Sequence, residues 1–227
     1  GVGALMHAAI TGSDIVVRKR ALLALGRIQD PHTAGAMMEG LSDPDATVRA
    51  EAAFAVGLLG LSWSPLSDEM KARLATALLE KEGAETDTNT RVAMLEAMGR
   101  VATPALVERL VDRLGGAPEV QARAALSLGV AAKAKVALPT RAYSALADVL
   151  KAQNTPAARY GAAYALMQSK NEAARTHLVA CVTDDFSEVR ALCAKGLADI
   201  GTDSDAVVLR KAIDDSDYRV AVEATRS

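Results

Sequence analysis

The sequence predicts an all-α fold, a right-handed α-solenoid of about six to seven helical hairpins. Three observations carry that expectation. The 227 residues are 50% hydrophobic but only 3% aromatic, and Ala, Leu and Val supply most of the apolar content. Ala and Leu are strong helix formers and allow close helix–helix contact. One helical motif recurs along the whole chain, and all seven prolines fall at or before an expected helix start, where the missing N–H does no harm.

The motif is clearest in DIVVRKRALLALG (14–26), DATVRAEAAFAVG (45–57) and DTNTRVAMLEAMG (87–99). APEVQARAALSLG (117–129), TPAARYGAAYALM (155–167) and FSEVRALCAKGLA (186–198) fit the same frame, and DSDYRVAVEATRS (215–227) begins a seventh copy. A shared position is occupied by Arg18, Arg49, Arg91, Gln121, Arg159, Arg190 and Arg219. Three, four and seven residues beyond it the chain is apolar or small in every complete copy, as at Ala21, Leu22 and Leu25 or Cys193, Ala194 and Leu197. That spacing defines one buried stripe on a helix. The residue after the stripe is Gly26, Gly57, Gly99 and Gly129, then Met167 and Ala198. Glycine there suits a helix end or a close approach of neighbouring backbones.

A second set of amphipathic segments lies between these helices, over 4–11, 32–41, 68–81, 104–114, 139–152, 172–182 and 204–213. Asp30, Asp43, Thr103 and Thr155 each precede a proline, as N-caps would. An Arg near a helix start sits at the unfavourable end of the macrodipole. Acids four to six residues upstream (Asp14, Asp43, Asp45, Asp87, Asp184 and Asp215) lie within reach of its guanidinium fork.

A first helix of the form D-x-x-V-R-x-x-A-x-x-A-L-G followed by a second, repeated along the chain, resembles the HEAT repeat. The likeness is closest to the short bacterial HEAT-like repeats also found in phycobilisome lyases. The resemblance implies that Arg18, Arg49, Arg91, Arg159, Arg190 and Arg219 form a structural ladder with acids between neighbouring repeats. Gln121 and Met167 depart from the pattern, which puts the local geometry of their two copies in doubt and not the array. The frame opens in a second helix and closes in a first helix, so residues 1–227 are expected to form a single array within a longer chain, with further domains open.

Signals for chemistry are few. His7, His32 and His177 stand apart and none is followed by Glu, unlike the His-Glu dipeptides of the HEAT-like deoxyhypusine hydroxylases. No phosphate-binding loop, nucleophile elbow or paired C-x-x-C is found. No catalytic residue, cofactor or metal ligand is therefore expected. Cys193 occupies a stripe position and is expected as a packed small hydrophobe. Cys181 lies on the preceding helix, close enough for the pair to approach each other. Two reduced thiols favour the cytoplasm without excluding export. A net charge of −2, with both signs interspersed, argues against nucleic-acid binding. No apolar run reaches the length of a membrane span.

The expected function is a non-catalytic scaffold that presents a curved concave surface to a protein or peptide. The resemblance also admits an accessory region of a larger enzyme or lyase-type assembly, and more remotely a DNA glycosylase module. Second helices line the concave side of HEAT arrays, which nominates Glu108, Asp112, Arg141, Asp148, Lys151 and Arg175 as partner-facing. Trp63, the only tryptophan, stands in a long connection at 60–69. It is either an interface anchor or a side chain folded over the adjacent helices.

Overall fold

The computed structural model describes residues 1–61, 66–151 and 153–226. Among them are fourteen α-helices, four short 3-10 turns and no strand. Contacts divide the chain into two compact units, Gly1–Arg109 and Leu110–Ser227. The first unit holds α1 (Val2–Thr11), α2 (Ile15–Ile28), α3 (Ala34–Gly40), α4 (Ala46–Gly60), α5 (Asp68–Ala84), α6 (Thr88–Val101) and most of α7 (Pro104–Asp112). In the second are α8 (Pro118–Lys133), α9 (Thr140–Val149), α10 (Pro156–Ser169), α11 (Arg175–Cys181), α12 (Ser187–Ile200), α13 (Ala206–Ile213) and α14 (Tyr218–Arg226).

Each unit is built in the manner of an α-solenoid. In the first, α2 packs on α4 and α4 on α6, and α1, α3 and α5 each pack on the helix that follows. In the second, α8, α10, α12 and α14 stack in the same way, with α9, α11 and α13 as their hairpin partners. The helical stripe is what these contacts bury. Ala21, Leu22 and Leu25, then Ala52, Ala53 and Val56, then Met94, Leu95 and Met98 are at most 3% exposed. Ala124, Ala125 and Leu128, Ala162, Ala163 and Leu166, and Cys193, Ala194 and Leu197 continue the stripe in the second unit. Each fully buried Leu or Val contributes about 1.5–3 kcal/mol, and second-helix side chains such as Leu74, Leu78, Leu106 and Leu146 share that burial with the stripe. At the last helix Val220 is buried whereas Val222 is 41% exposed.

Short polar side chains fix the helix starts. Asp14, Asp45 and Asp87 cap α2, α4 and α6 by accepting from the backbone N–H of Val16, Val48 and Thr90 respectively. Thr155 caps α10 through the N–H of Ala158, Asp30 caps the 3-10 turn that leads into α3, and Thr103 Oγ1 accepts from the N–H of Leu106. Such caps contribute about 1 kcal/mol each. The expectation for Asp43 is corrected. Asp45 is the cap of α4, and the Asp43 carboxylate is turned to Arg18.

Gly26, Gly57 and Gly129, after the stripe, serve close approach and do not end helices. Gly26 lies inside α2, and a Cβ there would stand 2.8 Å from Ala55 Cα on α4. At Gly129 it would meet the ring of Tyr164 at 2.2 Å. The left-handed residues at the ends of α2, α6 and α10 are instead Gln29, Ala102 and Lys170.

Candidate interaction surface

The shared arginines reach forward. Arg18 Nε and Nη2 donate to the two oxygens of Asp43 at 2.7 and 3.0 Å, and Nη1 donates to the carbonyl of Gly12. Arg49 repeats the arrangement with Glu85 at 2.7 and 2.9 Å and with the carbonyl of Asp43. Arg190 does so with Asp215 at 2.7 and 2.8 Å and with the carbonyl of Asp184. The planar fork matches a carboxylate on one edge, while its remaining nitrogen ties down the turn that begins its own helix. The upstream residues thus contribute carbonyls, and the carboxylate comes from the next hairpin along.

Each acid also organises the turn that carries it. Asp43, Glu85, Asp184 and Asp215 accept from the backbone N–H two residues on, at Asp45, Asp87, Phe186 and Asp217. The Arg49 fork, helped by the N–H groups of Asp87 and Thr86, holds the Glu85 carboxyl down at about 2 despite its burial. Arg190 lowers Asp215 in the same way.

Four positions vary the scheme. Arg159 gives only Nη1 to Asp184, at 2.8 Å, and lies over the Phe186 ring with 5.0 Å to its centroid. Arg91 Nε lies 3.4 Å from Glu82, and its Nη2 donates to the carbonyl of Glu85. Arg219 donates to Asp217 at 2.7 Å and to Glu188 at 3.1 Å. Gln121, which has no charge to pair, donates to the carbonyl of Leu114.

Most side chains nominated on the second helices are engaged with one another. Arg175 holds Asp205 through Nε and Nη2 at 2.7 and 2.9 Å and also donates to Thr202 Oγ1, tying α11 to the turn before α13. Arg141 pairs with Asp112 at 2.9 Å and Lys151 with Asp148 at 2.6 Å, on exposed surface in both cases. Glu108 lies on the exposed side of α7. Trp63 falls outside the described residues. Sequence reasoning missed Glu82 and Glu85. Glu82 is fully buried and accepts from Arg109 Nη1 at 2.7 Å. Glu85 was detectable as an acid two residues ahead of a capping Asp, the spacing of Asp43 to Asp45.

The cysteines require a correction. Cys181 and Cys193 are joined as a disulfide, with their Cα atoms 5.8 Å apart, inside the usual span for a cystine. The bond staples α11 to α12, and the argument for the cytoplasm from two reduced thiols falls with it. Among the described residues no helix is long and apolar enough to cross a membrane.

Residues 3–86, 103–192 and 143–227 match the family model for HEAT repeats. The chain belongs to the HEAT-repeat family. No curated protein matches it. Among solved structures it is similar to an engineered protein, with 23% identity and a TM-score of 0.63 over 99% of this chain and 66% of that one. It thus spans just under two thirds of that protein's length. The archaeal HEAT-like repeats protein from Thermococcus onnurineus NA1 gives a TM-score of 0.63 at 9% identity, covering 100% of this chain and 95% of that one. A chain from the complex of CpcE and CpcF of phycocyanin lyase from Nostoc sp. PCC7120 gives 0.58 at 19% identity, covering 86% and 74%. These likenesses concern the fold.

Proposed function

We propose that this chain is a non-catalytic scaffold that binds a protein or peptide along a concave surface lined by its second helices. The observation that carries the reading is membership of the HEAT-repeat family across almost the whole length. In support, charged side chains bridge neighbouring elements inside each unit, as Arg49 does with Glu85 and Arg175 with Asp205. Such cross-links hold the exposed faces in fixed register, and a preorganised face loses less entropy on binding. The arginine rungs act here as positioning elements and not as ligand contacts. Arg141, Asp112, Asp148 and Lys151 form the exposed, exchangeable part of the surface.

The test is affinity capture from a lysate of the source cells, with the 227-residue chain as bait and mass spectrometry as readout. A parallel bait carries Arg141→Ala and Lys151→Ala, both exposed, so that folding is preserved. A protein held by the first bait and lost by the second supports the scaffold. Capture of nothing above a blank resin refutes it. The likeness to the CpcE–CpcF structure favours one second reading, an accessory part of a lyase-type assembly. That reading requires a bilin to shift its absorbance on mixing with the chain, and an unchanged spectrum removes it.

A further inference from the structure

Of five clefts among the described residues, four balance their charges. Lys19 and Arg27 share one with Glu51 and Asp87, and Lys151 and Arg159 share another with Asp184 and Asp185. Arg210 is matched by Asp203, and Lys71 by Asp68. The fifth, about 430 Å³ in the second unit, differs. It is bounded by the end of α8, the connection to α9 and the end of α10. Lys133, Lys135 and Lys170 line it, and no carboxylate does. Lys170 has an exposed partner outside the lining, Asp199 at 3.2 Å, whereas Lys133 and Lys135 make no ion pair among the described residues.

Holding three cations together costs free energy unless something offsets it. The carbonyl ends of α8 and α10 supply part of the offset for Lys133 and Lys170, but Lys135 lies beyond the end of α8. The backbone adds a second cost. Lys135 and Lys170 have φ of 65° and 47°, left-handed positions that glycine occupies more cheaply. Two residues that carry a charge at a conformational cost thus face the same unbalanced cleft. The rest of the lining is apolar or uncharged polar, with Val136, Leu138 and Tyr143 on one side and Gln168, Ser169 and Asn171 on the other. Cations beside a small apolar floor complement carboxylates interleaved with apolar side chains. The chain's overall negative charge opposes a polynucleotide.

We propose that this cleft is a docking site for an extended acidic peptide segment of a partner protein, with glutamate or aspartate on Lys133, Lys135 and Lys170 and an apolar side chain on Val136 and Leu138. The proposal rests on the scaffold reading and adds to it a site and a ligand chemistry. A cleft of this volume is in the range that small ligands and short segments fill.

The probe is a fluorescein-labelled hexapeptide alternating glutamate and leucine, titrated with the full chain and read by anisotropy. The control peptide has glutamine in place of glutamate. Binding of the acidic peptide alone is expected, weakening with salt and weakening at least about tenfold in the variant Lys133→Gln/Lys135→Gln/Lys170→Gln. Lys133→Gln/Lys135→Gln, which leaves the Asp199 pair intact, is expected to give an intermediate loss. Lys19→Gln/Arg27→Gln, in the first unit, is expected to change nothing. Equal binding by the triple variant, equal binding of the glutamine peptide, or tighter lysine-dependent binding of a single-stranded oligonucleotide overturns the proposal. So does absence of binding, and capture that remains sensitive to Arg141 and Lys151 then leaves the scaffold reading standing without this site.

Discussion

Replacing Glu85 by Gln is expected to cost the Gly1–Arg109 unit about 3 kcal/mol at neutral pH. The carboxylate accepts from Arg49 Nε and Nη2 and from the N–H groups of Thr86 and Asp87, and it is almost fully buried. These donors pull its pKa from 4.5 to about 2. At about 1.4 kcal/mol per pKa unit, the ionised form is favoured in the folded state by roughly 3 kcal/mol. A glutamine keeps the shape but turns an N–H₂ toward the guanidinium and loses the charge. Because the folded pKa is depressed, this contribution is complete above the ordinary carboxylate range. It disappears as pH falls from about 4.5 through about 2. Urea melts followed by circular dichroism should therefore show wild type and Glu85→Gln far apart at neutral pH and converging across that window. Other lowered acids that Glu85 does not influence, such as Asp30 and Asp45, titrate in both proteins and cancel in the difference. A gap below about 1 kcal/mol at neutral pH, or a gap that does not change with pH, would refute the reasoning.

Gly26→Ala is expected to cost about 1–3 kcal/mol through overpacking against the α4 backbone. Gly35→Ala, which meets nothing within 4 Å, should be neutral or stabilising by about 0.5–1 kcal/mol, and thermal melts of the pair separate the two effects. Glu82→Ala should cost about 3–5 kcal/mol, because it strips a buried carboxylate from Arg91 and Arg109; a loss under 1 kcal/mol in urea would show that water takes its place. Reducing the Cys181–Cys193 bond opens a short loop and should lower the stability of the second unit by up to about 3 kcal/mol. Thiol titration before and after reduction, read beside the melting curve, checks both the bond and its effect.

The stripe was legible because it is local. Positions three, four and seven beyond the arginine lie on one helix face whatever the neighbours are, and Leu22, Val56 and Leu166 are buried as their spacing implies. The second helices were legible for the same reason, although those near Pro31, Glu172 and Asp203 open with a 3-10 turn that the pattern does not reveal. The carboxylates opposite the arginines were not. Asp43 stands 25 residues beyond Arg18, and Glu85 stands 36 beyond Arg49, so the nearby Asp14 and Asp45 drew attention when their task is to cap. Cys181 and Cys193 are separated by 12 residues and a turn, and only the hairpin geometry brings their sulfurs together. The lysine cleft joins residues 133–138 to 168–171, which follow corresponding first helices, α8 and α10, and only the stacking of those helices sets them side by side.

Where the chain can grow follows from how the rungs are spaced. From arginine to acid the distance along the sequence is 25, 36, 25 and 25 residues, yet from each acid to the residue that opens the next first helix it is always two. The longer second interval was absorbed entirely upstream of its acid. Each acid thus acts as a register mark for the hairpin that follows. Insertions ahead of the mark can be accommodated by lengthening a helix or its connection, whereas a single residue added behind it would misalign grip and cap together. Lineages of this array are expected to vary in length on one side of these acids and to hold fast on the other.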